Sequence, residues 1–187
     1  MDLPWGDEKT TQFVTNVGLI TTDGPNGENV MACEWTHQVS YKPGLLTLSI
    51  GPNKATSENI IKSKEFGVSV CATDQSILSS IAGGNSGKNI DKIKTLEELG
   101  FKFYKAENIK TLMVEGAAAN FECKLIKKIK LGDHTLFVGE VVKASVNKDK
   151  QPLVYHKGKY WVLEKTIQKP EKEKIEEINQ IIEKFKK

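Results

Sequence analysis

The sequence predicts a mainly β fold with flanking helices, in which the strands form a closed or split barrel. Three observations favour this class. Many short segments are rich in β-branched residues or alternate apolar with polar ones, turn residues separate these segments, and only a few segments show the helical spacing of apolar residues. A barrel is the economical arrangement of so many strands because closure removes exposed strand edges.

The first half of the chain is predicted to hold four strands and one helix. The strands are predicted at residues 13–22, 29–34, 45–50 and 66–72, and the helix at residues 53–64. The turn sequence DGPNG follows the first strand, and Gly51-Pro52 precedes the helix. The polar residues 36–40, which lead to Pro43, are predicted to form a loop between the second and third strands.

The second half begins with helical patterns and then returns to strands. Asp74 is the predicted N-cap of a helix that ends at Ile81. A loop rich in Gly, Ser and Asn follows at residues 83–92, and apolar residues between Ile90 and Leu99 have helical spacing. Strands are predicted at residues 112–115, 119–129, 135–146 and 159–163. Apolar alternation in the two long strands favours antiparallel pairing with one buried face.

The composition changes after Trp161, which predicts two parts, a domain at residues 1–164 and a C-terminal helical extension at residues 165–187. The extension holds seven lysines and five glutamates. Pro170 opens a helical pattern there. Its apolar stripe consists of Ile175, Ile178, Ile181, Ile182 and Phe185. Such an amphipathic helix requires a surface to cover, either on its own domain or on a partner subunit.

All 27 basic residues among the 187 are lysines. Arginine-based recognition of guanine and bidentate arginine–carboxylate pairs are therefore excluded, and any bound anion must be met by lysine, hydroxyls or backbone N–H groups. The net charge of +3 gives no general case for nucleic-acid binding. The polar N-terminus and the shortness of every apolar run lead us to expect a soluble, cytoplasmic protein that does not enter a membrane.

The familiar catalytic and metal motifs do not occur in the sequence. The three cysteines are far apart and are expected to be reduced core thiols, and the three histidines lack metal-ligand spacing. His134, in a Gly-Asp-His turn, is expected to be solvated. The loop GGNSGK is not a P-loop, because Ala82 stands where a glycine is required and Asn89 follows the lysine. An enzyme of this composition requires a cofactor for its chemistry.

Residues 29–60 are the most informative stretch. After a predicted strand that leads to Trp35 and a polar loop, Lys54, Thr56 and Ser57 stand at the start of a predicted helix. A helix N-terminus with hydroxyls and a lysine can bind phosphate without arginine, and the loop could meet a flat heteroaromatic ring. The alternative is ordinary helix capping beside a Trp35 that belongs to the core.

With these features the sequence resembles the flavin reductase-like family of FMN-binding split β-barrels, which includes flavoredoxin and archaeal ferric reductase. The resemblance spans roughly residues 10–164. It is carried by Gly18-Leu19-Ile20-Thr21-Thr22, Asn29-Val30-Met31-Ala32 with Trp35, Ser40-x-x-Pro43, Lys54-x-Thr56-x-x-Asn59-Ile60, Phe66-Gly67-Val68-Ser69-Val70, Ser86-Gly87-x-x-x-Asp91-Lys92, Gly116-Ala117-x-x-x-x-x-Cys123, Gly139-Glu140-Val141 and Pro152-Leu153-Val154-Tyr155 with Tyr160.

The resemblance implies a homodimer that binds FMN near the subunit interface. The positions that match the family's contacts to the flavin ring are Met31, Ala32, Trp35, Thr36 and Ser40. Lys54, Thr56 and Ser57 match its phosphate end. Ser69, Ser86 and Gly87 correspond to later contacting segments, and Lys88 stands where relatives often use arginine.

The implied function is an FMN-dependent oxidoreductase with NADH or NADPH as the electron donor and free flavin, ferric iron or a protein as the acceptor. No side chain is expected to act as a catalytic acid or base. The alternative within the family is a non-enzymatic electron-transfer protein of the flavoredoxin kind. A nucleic-acid or membrane-surface role for the lysine-rich tail is disfavoured by the near balance of charges there.

Overall fold

The computed structural model describes residues 1–186. Its elements in chain order are β1 (Thr15–Asn16), β2 (Gly18–Thr22), β3 (Asn29–Cys33), β4 (Thr36–Tyr41), β5 (Gly44–Ile50), α1 (Ala55–Ser63), β6 (Glu65–Val70), α2 (Ser76–Gly84), α3 (Lys92–Glu98), β7 (Phe103–Lys105), β8 (Leu112–Val114), β9 (Ala119–Leu131), β10 (His134–Val146), β11 (Val154–His156), β12 (Lys159–Trp161) and α4 (Lys172–Lys184). The prediction of a mainly β protein with flanking helices and a C-terminal helix is confirmed.

A seven-stranded antiparallel sheet forms the body of the protein, with the strand order β3-β2-β6-β9-β10-β5-β4. Its two edge strands, β3 and β4, are consecutive in the sequence, and only Glu34 and Trp35 separate them. The sheet must therefore curl until its edges approach each other. At this point the Thr36 hydroxyl donates to the carbonyl of Cys33 at 3.0 Å, and the Ser49 N–H donates to the carbonyl of Trp35 at 3.0 Å.

The curled sheet has a separate apolar core on each face. Side chains alternate between the faces along a strand, so that Ile20 of β2 enters the inner core and its neighbour Leu19 enters the outer core. In the inner core α1 contributes Ile60. In the outer core α2 and α3 contribute Leu78 and Leu96. Because both faces are covered, every residue of β2 is buried.

The predicted polar loop at residues 36–40 is wrong, since these residues form the edge strand β4. The strand pairs with β5 from Thr36 opposite Leu48 to Tyr41 opposite Gly44, with an irregularity between Gln38 and Ser40. Polar residues are tolerated because most of the strand is exposed. Edge strands do not require the regular apolar alternation that makes a half-buried strand recognisable.

The predicted strand at residues 13–22 is divided into β1 and β2, which belong to different sheets, and several other ends shift by a few residues. Two of the differences concern α2 and the loop that follows it. Asp74 is not the N-cap of α2, because it lies in a 3₁₀ turn at Thr73–Gln75 and α2 begins at Ser76. The predicted loop at residues 83–92 is shorter than expected, because α2 continues through Gly84 and α3 begins at Lys92. The extra turn brings the C-terminal end of α2 towards the first residues of α3.

The cysteines are buried in the structure, whereas the described part of the C-terminal extension is exposed. Cys33, Cys71 and Cys123 are free and buried, as predicted. Every described residue from Trp161 onward is exposed, and the apolar stripe of α4 is left uncovered among residues 1–186. None of the helices in that range combines the length and apolar character that a membrane crossing requires.

Candidate functional site

Three segments of the chain meet beside edge strand β3. The Asn29 side-chain amide donates to the Thr56 hydroxyl of α1 at 2.9 Å. The loop after α2 lies so close that a Cβ added to Gly87 would stand 2.1 Å from Asn29 Oδ1. A Cβ added to Gly83 would likewise stand 3.3 Å from Ala32 Cβ. We call the group formed by Asn29, Lys54, Thr56, Ser57, Gly87 and Lys92 the anion cradle.

The first turn of α1 supplies backbone donors to this cradle. Asn53 has a φ of 60°, which turns the chain out of β5 so that α1 begins after Lys54. The first N–H groups of a helix have no partners within that helix, and the helix dipole places a partial positive charge there. Thr56 is 1% exposed, so its hydroxyl is held in place beside these donors.

Two buried polar atoms in the cradle have no hydrogen-bond partner among residues 1–186, namely Asn29 Oδ1 and Ser57 Oγ. A buried polar atom without a partner costs about 1–3 kcal/mol, so two such atoms at one place indicate a site for a polar ligand. Rotation of the Asn29 amide exchanges its oxygen and nitrogen, and the Thr56 hydroxyl can serve either of them. The cradle can therefore present an amide donor to an anion.

The cradle also contains an uncompensated positive charge. Lys92 is 2% exposed, and its ammonium donates to the carbonyl of Ala82 at 3.0 Å and to that of Asn85 at 3.3 Å. Burial, together with the nearby charge of Lys54, lowers the pKa of Lys92 to about 8. Within the described chain no carboxylate pairs with Lys92. An anion bound between these two lysines would relieve their repulsion.

Lys88, which the sequence suggested as a substitute for arginine, already has a partner. Its ammonium lies 2.5 Å from Glu58 Oε1, and the Asn26 amide donates to Glu58 Oε2 at 3.0 Å. The hydrogen bond from Lys88, followed by that from Asn26, lowers the pKa of Glu58. Lys92, which sequence reasoning did not select, is the buried lysine of this region.

The outer face of β3 opens on a cavity of about 330 Å³ at Ala32, about 10 Å along the strand from Asn29. Ala32 of β3 and Gly83 of α2 form one wall, where the short methyl side chain of Ala32 and the absence of a side chain at Gly83 leave space. Glu34, Tyr155 and Tyr160 lie among the other lining residues, and partial burial raises the pKa of Glu34. The cavity can accept a flat ring that carries polar edges.

Trp35 and His134 form an aromatic pair at the point where the sheet edges meet. Their ring centroids are 4.8 Å apart at an interplanar angle of 40°. Trp35 is 47% exposed, so it does not belong to the core. His134, which was expected to be solvated, is partly buried and packs on Trp35. The pairing of Thr135 with Ile50 brings His134 beside Gly51. Such long-range pairing is not visible in the sequence.

The structure does not bring all of the predicted site residues together. Ser40 lies opposite Leu45, five positions and so about 17 Å along β5 from its last residue, Ile50. Ser69 is fully buried under β8, where its hydroxyl accepts from the Val114 N–H at 3.3 Å. The side chain of Met31 packs against the inner core.

Two other predicted positions are held by local contacts. The buried Thr36 hydroxyl donates to Cys33, so only backbone groups of Thr36 can face a ligand. Ser86 is exposed, and its hydroxyl accepts from the Lys88 N–H at 3.3 Å within its own loop. Of the predicted residues, the cradle thus brings together Lys54, Thr56, Ser57 and Gly87, whereas Ala32 lies about 10 Å along β3 from Asn29, beside Gly83.

Comparisons with known proteins agree with one another. Residues 10–164 match the family described as flavin reductase like domain. The FMN reductase (NADH) SmoA of Agrobacterium fabrum is 26% identical over 148 residues, which are 79% of this chain and 79% of that protein. An NADH-dependent FAD reductase of Streptomyces globisporus is 24% identical over 149 residues, again 79% of each. The solved structure of the flavin reductase PheA2 in its native state superposes with a TM-score of 0.73 at 28% identity, covering 88% of this chain and 100% of that one.

Proposed function

The chain belongs to the flavin reductase-like family and is an oxidoreductase of the flavin reductase kind, and from this premise we propose that it binds FMN and reduces flavin with NADH or NADPH. We also propose residues 1–164 as the flavin-binding domain and residues 165–187 as an extension outside it. When bound, FMN supplies the capacity to accept two electrons as a hydride and to pass them on. The protein supplies binding, orientation and the exclusion of water.

The anion cradle is the observation that carries the proposal. Lys54, the first N–H groups of α1 and the hydroxyl of Ser57 would hold the flavin phosphate, with Asn29 and the backbone at Gly87 on the opposite side. The unpartnered atoms of Asn29 and Ser57 and the absence, among residues 1–186, of a carboxylate paired with Lys92 support this assignment. Such charge-assisted hydrogen bonds are roughly twice as strong as neutral ones.

The ring end would lie along the outer face of β3. Ala32 is three residues, about 10 Å, along this strand from Asn29, and the small residues Ala32 and Gly83 border the open space. The Trp35–His134 pair stands where the sheet edges meet and would shield this end from water. The side chains of Met31, Thr36 and Ser69 are committed to protein contacts, so we assign them no ligand contact beyond backbone groups.

We place Ser40 in the site only through a homodimer. It lies on edge strand β4, whose exposed apolar side chains include Val39 at 56% and Tyr41 at 89% exposure. An exposed edge strand with apolar side chains is suited to pairing with a second subunit. In a dimer formed through β4, Ser40 of one subunit would approach the flavin ring of the other.

We favour FMN over FAD because of the charges around a second cavity, of about 500 Å³, which lies beyond Gly87. An adenylate attached to the phosphate would extend towards it. Its lining includes the carboxylates of Glu28, Asp91 and Glu97 and the ammonium groups of Lys88 and Lys94. Because Lys88 is paired with Glu58 and Lys94 with Asp91, this region would repel a second phosphate.

Anaerobic titration of the FMN-loaded protein with NADH and NADPH tests the proposal. We expect the flavin absorbance near its long-wavelength maximum to bleach with one equivalent of at least one nucleotide, and steady-state nicotinamide oxidation with added flavin to be catalytic. Bleaching with negligible turnover would favour the electron-transfer role of the flavoredoxin kind. If the protein takes up no FMN, or if neither nucleotide bleaches the bound flavin, the proposed function is wrong.

A further inference from the structure

Helix α2 points its C-terminal end, the negative end of the helix dipole, towards the anion cradle. Its last residues, Gly83 and Gly84, border the cavity beside Ala32, and Gly87 follows three residues later against Asn29. The C-terminal end of a helix presents free carbonyl oxygens and carries a partial negative charge of about one half. Taken alone, this end would repel a phosphate held a few residues away.

Lys92 neutralises this helix end from inside the protein. Lys92 is the first residue of α3, and its side chain extends to the C-terminal end of α2. Its ammonium donates to the carbonyl of Ala82 at 3.0 Å and to that of Asn85 at 3.3 Å. These two carbonyls belong to the last turn of α2 and to the residue that follows it. A lysine on the terminal carbonyls both satisfies them and offsets the dipole. The contact also fixes the start of the loop that leads to Gly87.

The charged groups around Lys92 do not compensate its positive charge. Neither α2 nor β3 contains a charged residue, and Lys54 at the start of α1 adds a second positive charge. Glu58 of α1 is paired with Lys88 of the connecting loop at 2.5 Å. Asp91, next in the chain to Lys92, accepts instead from the Lys94 N–H at 3.0 Å and pairs with the Lys94 ammonium at 3.4 Å.

We propose, on the basis of the proposed FMN site, that Lys92 is a positioning residue that makes the carbonyl end of α2 compatible with the flavin phosphate, and that the phosphate and the proton on Lys92 bind together. The phosphate is the missing counter-charge of the pair formed by Lys54 and Lys92. Lys92 acts on the phosphate indirectly, by holding the C-terminal end of α2 and the loop that leads to Gly87. Its positive charge also stabilises the phosphate electrostatically.

This coupling has a definite sign. Burial and then Lys54 lower the pKa of Lys92 to about 8, so that in the free protein it loses its proton above that pH. A phosphate dianion nearby favours the charged ammonium and raises its pKa. FMN binding therefore takes up a proton above pH 8, and the affinity for FMN falls as the pH rises beyond that value. Riboflavin, which has the same ring but no phosphate, is insensitive to this ionisation.

The test compares FMN with riboflavin between pH 7 and pH 9.5, where the phosphate remains a dianion. In the natural protein we expect the affinity ratio of FMN to riboflavin to be nearly constant up to about pH 7.5 and then to fall by up to about tenfold in total by pH 9.5. Lys92→Met should lower the ratio about tenfold at pH 7 and remove its pH dependence. Lys105→Met, which removes an exposed lysine on β7, should behave like the natural protein.

Proton uptake on FMN binding, measured by calorimetry in two buffers of different ionisation enthalpy, tests the coupling to Lys92 even if Lys92→Met does not fold. At pH 8.5 FMN should take up between about one half and three quarters of a proton more than riboflavin. Equal proton uptake, or a ratio in Lys92→Met that follows the natural profile, would overturn the role of Lys92 while FMN binding itself stands. Failure of the natural protein to bind FMN would instead remove the proposed function, and this inference with it.

Discussion

The side-chain amide of Asn29 donates to the hydroxyl of Thr56 at 2.9 Å, which joins edge strand β3 to the first turn of α1. Both residues are almost fully buried. The contact fixes the distance between the strand on which the flavin ring would lie and the helix start that would hold its phosphate. It is therefore the structural link between the two ends of the proposed site.

Replacing Thr56 with valine should weaken both the fold and the site. The variant keeps the shape of the side chain but leaves the Asn29 amide without its partner, which costs about 1–3 kcal/mol of unfolding free energy. We expect FMN affinity to fall about tenfold as the helix start loses its tie to β3. Urea denaturation and fluorescence titration with FMN measure the two effects, and unchanged values in both would contradict the role of this contact.

Replacing Ser57 with alanine should separate binding from stability. Its hydroxyl oxygen is buried and has no hydrogen-bond partner within residues 1–186. Removing it should leave the unfolding free energy of the apoprotein unchanged or raise it by up to about 1 kcal/mol, whereas FMN affinity should fall about tenfold and riboflavin affinity should not. A variant that loses stability yet binds FMN normally would show that Ser57 serves the fold instead.

Gly139 should be irreplaceable by alanine for a steric reason. An added Cβ would stand 2.4 Å from the ring of Phe66 and 3.0 Å from Cys123 Cβ, deep in the inner core. We expect a loss of about 1–3 kcal/mol in the free energy of unfolding. Gly44→Ala is the matched control, because a Cβ there meets only Val141 at 3.8 Å, and it should change stability by no more than about 0.5 kcal/mol.

The three thiols should be unreactive in the native protein. Burial raises the pKa of Cys33, and it raises the pKa of Cys71 and of Cys123 to about 12. A disulfide reagent at pH 7.5 should therefore modify them only after denaturant is added. Rapid labelling of the folded protein would contradict the burial of these side chains.

The same thiols give stability a definite pH dependence. Their pKa values are higher in the folded state than the ordinary value of about 8.5 in the unfolded chain. Their contribution to stability is complete below about pH 8.5 and is lost as the pH rises towards 12, because the unfolded state then releases protons that the native state retains. Replacing Cys71 with alanine should reduce the slope of unfolding free energy against pH above 8.5.

Much of the fold could be predicted from local patterns. Apolar residues alternate in β9 at Phe121, Cys123 and Leu125, and α1 follows the turn at Gly51-Pro52, so both elements were recognisable. The capping residues expected at the start of α1 are not used, because its N-cap, Lys54, makes no side-chain capping hydrogen bond. Strand β4 was missed because an exposed edge strand can carry polar residues at almost every position. Its identity depends on the backbone of β5, to which it pairs, and not on its own pattern.

The site was predictable only in part, and for the same reason. Lys54, Thr56 and Ser57 adjoin one another in the sequence, so a helix start was enough to group them. The pairing of Trp35 with His134 requires β10 to lie beside β5, and the burial of Lys92 requires α2 to continue through Gly84. Neither condition follows from residues close in the chain, so His134 was expected in solvent and Lys92 was not selected.

The proposed function depends on recognition of the flavin phosphate by the anion cradle. It is tested most directly by titrating the apoprotein with FMN and with riboflavin at pH 7 and following flavin fluorescence. We expect FMN to bind about 10- to 100-fold more tightly than riboflavin, because charge-assisted hydrogen bonds to the phosphate contribute about 1.5–3 kcal/mol. Equal affinity for the two flavins, or no binding of FMN, would contradict it.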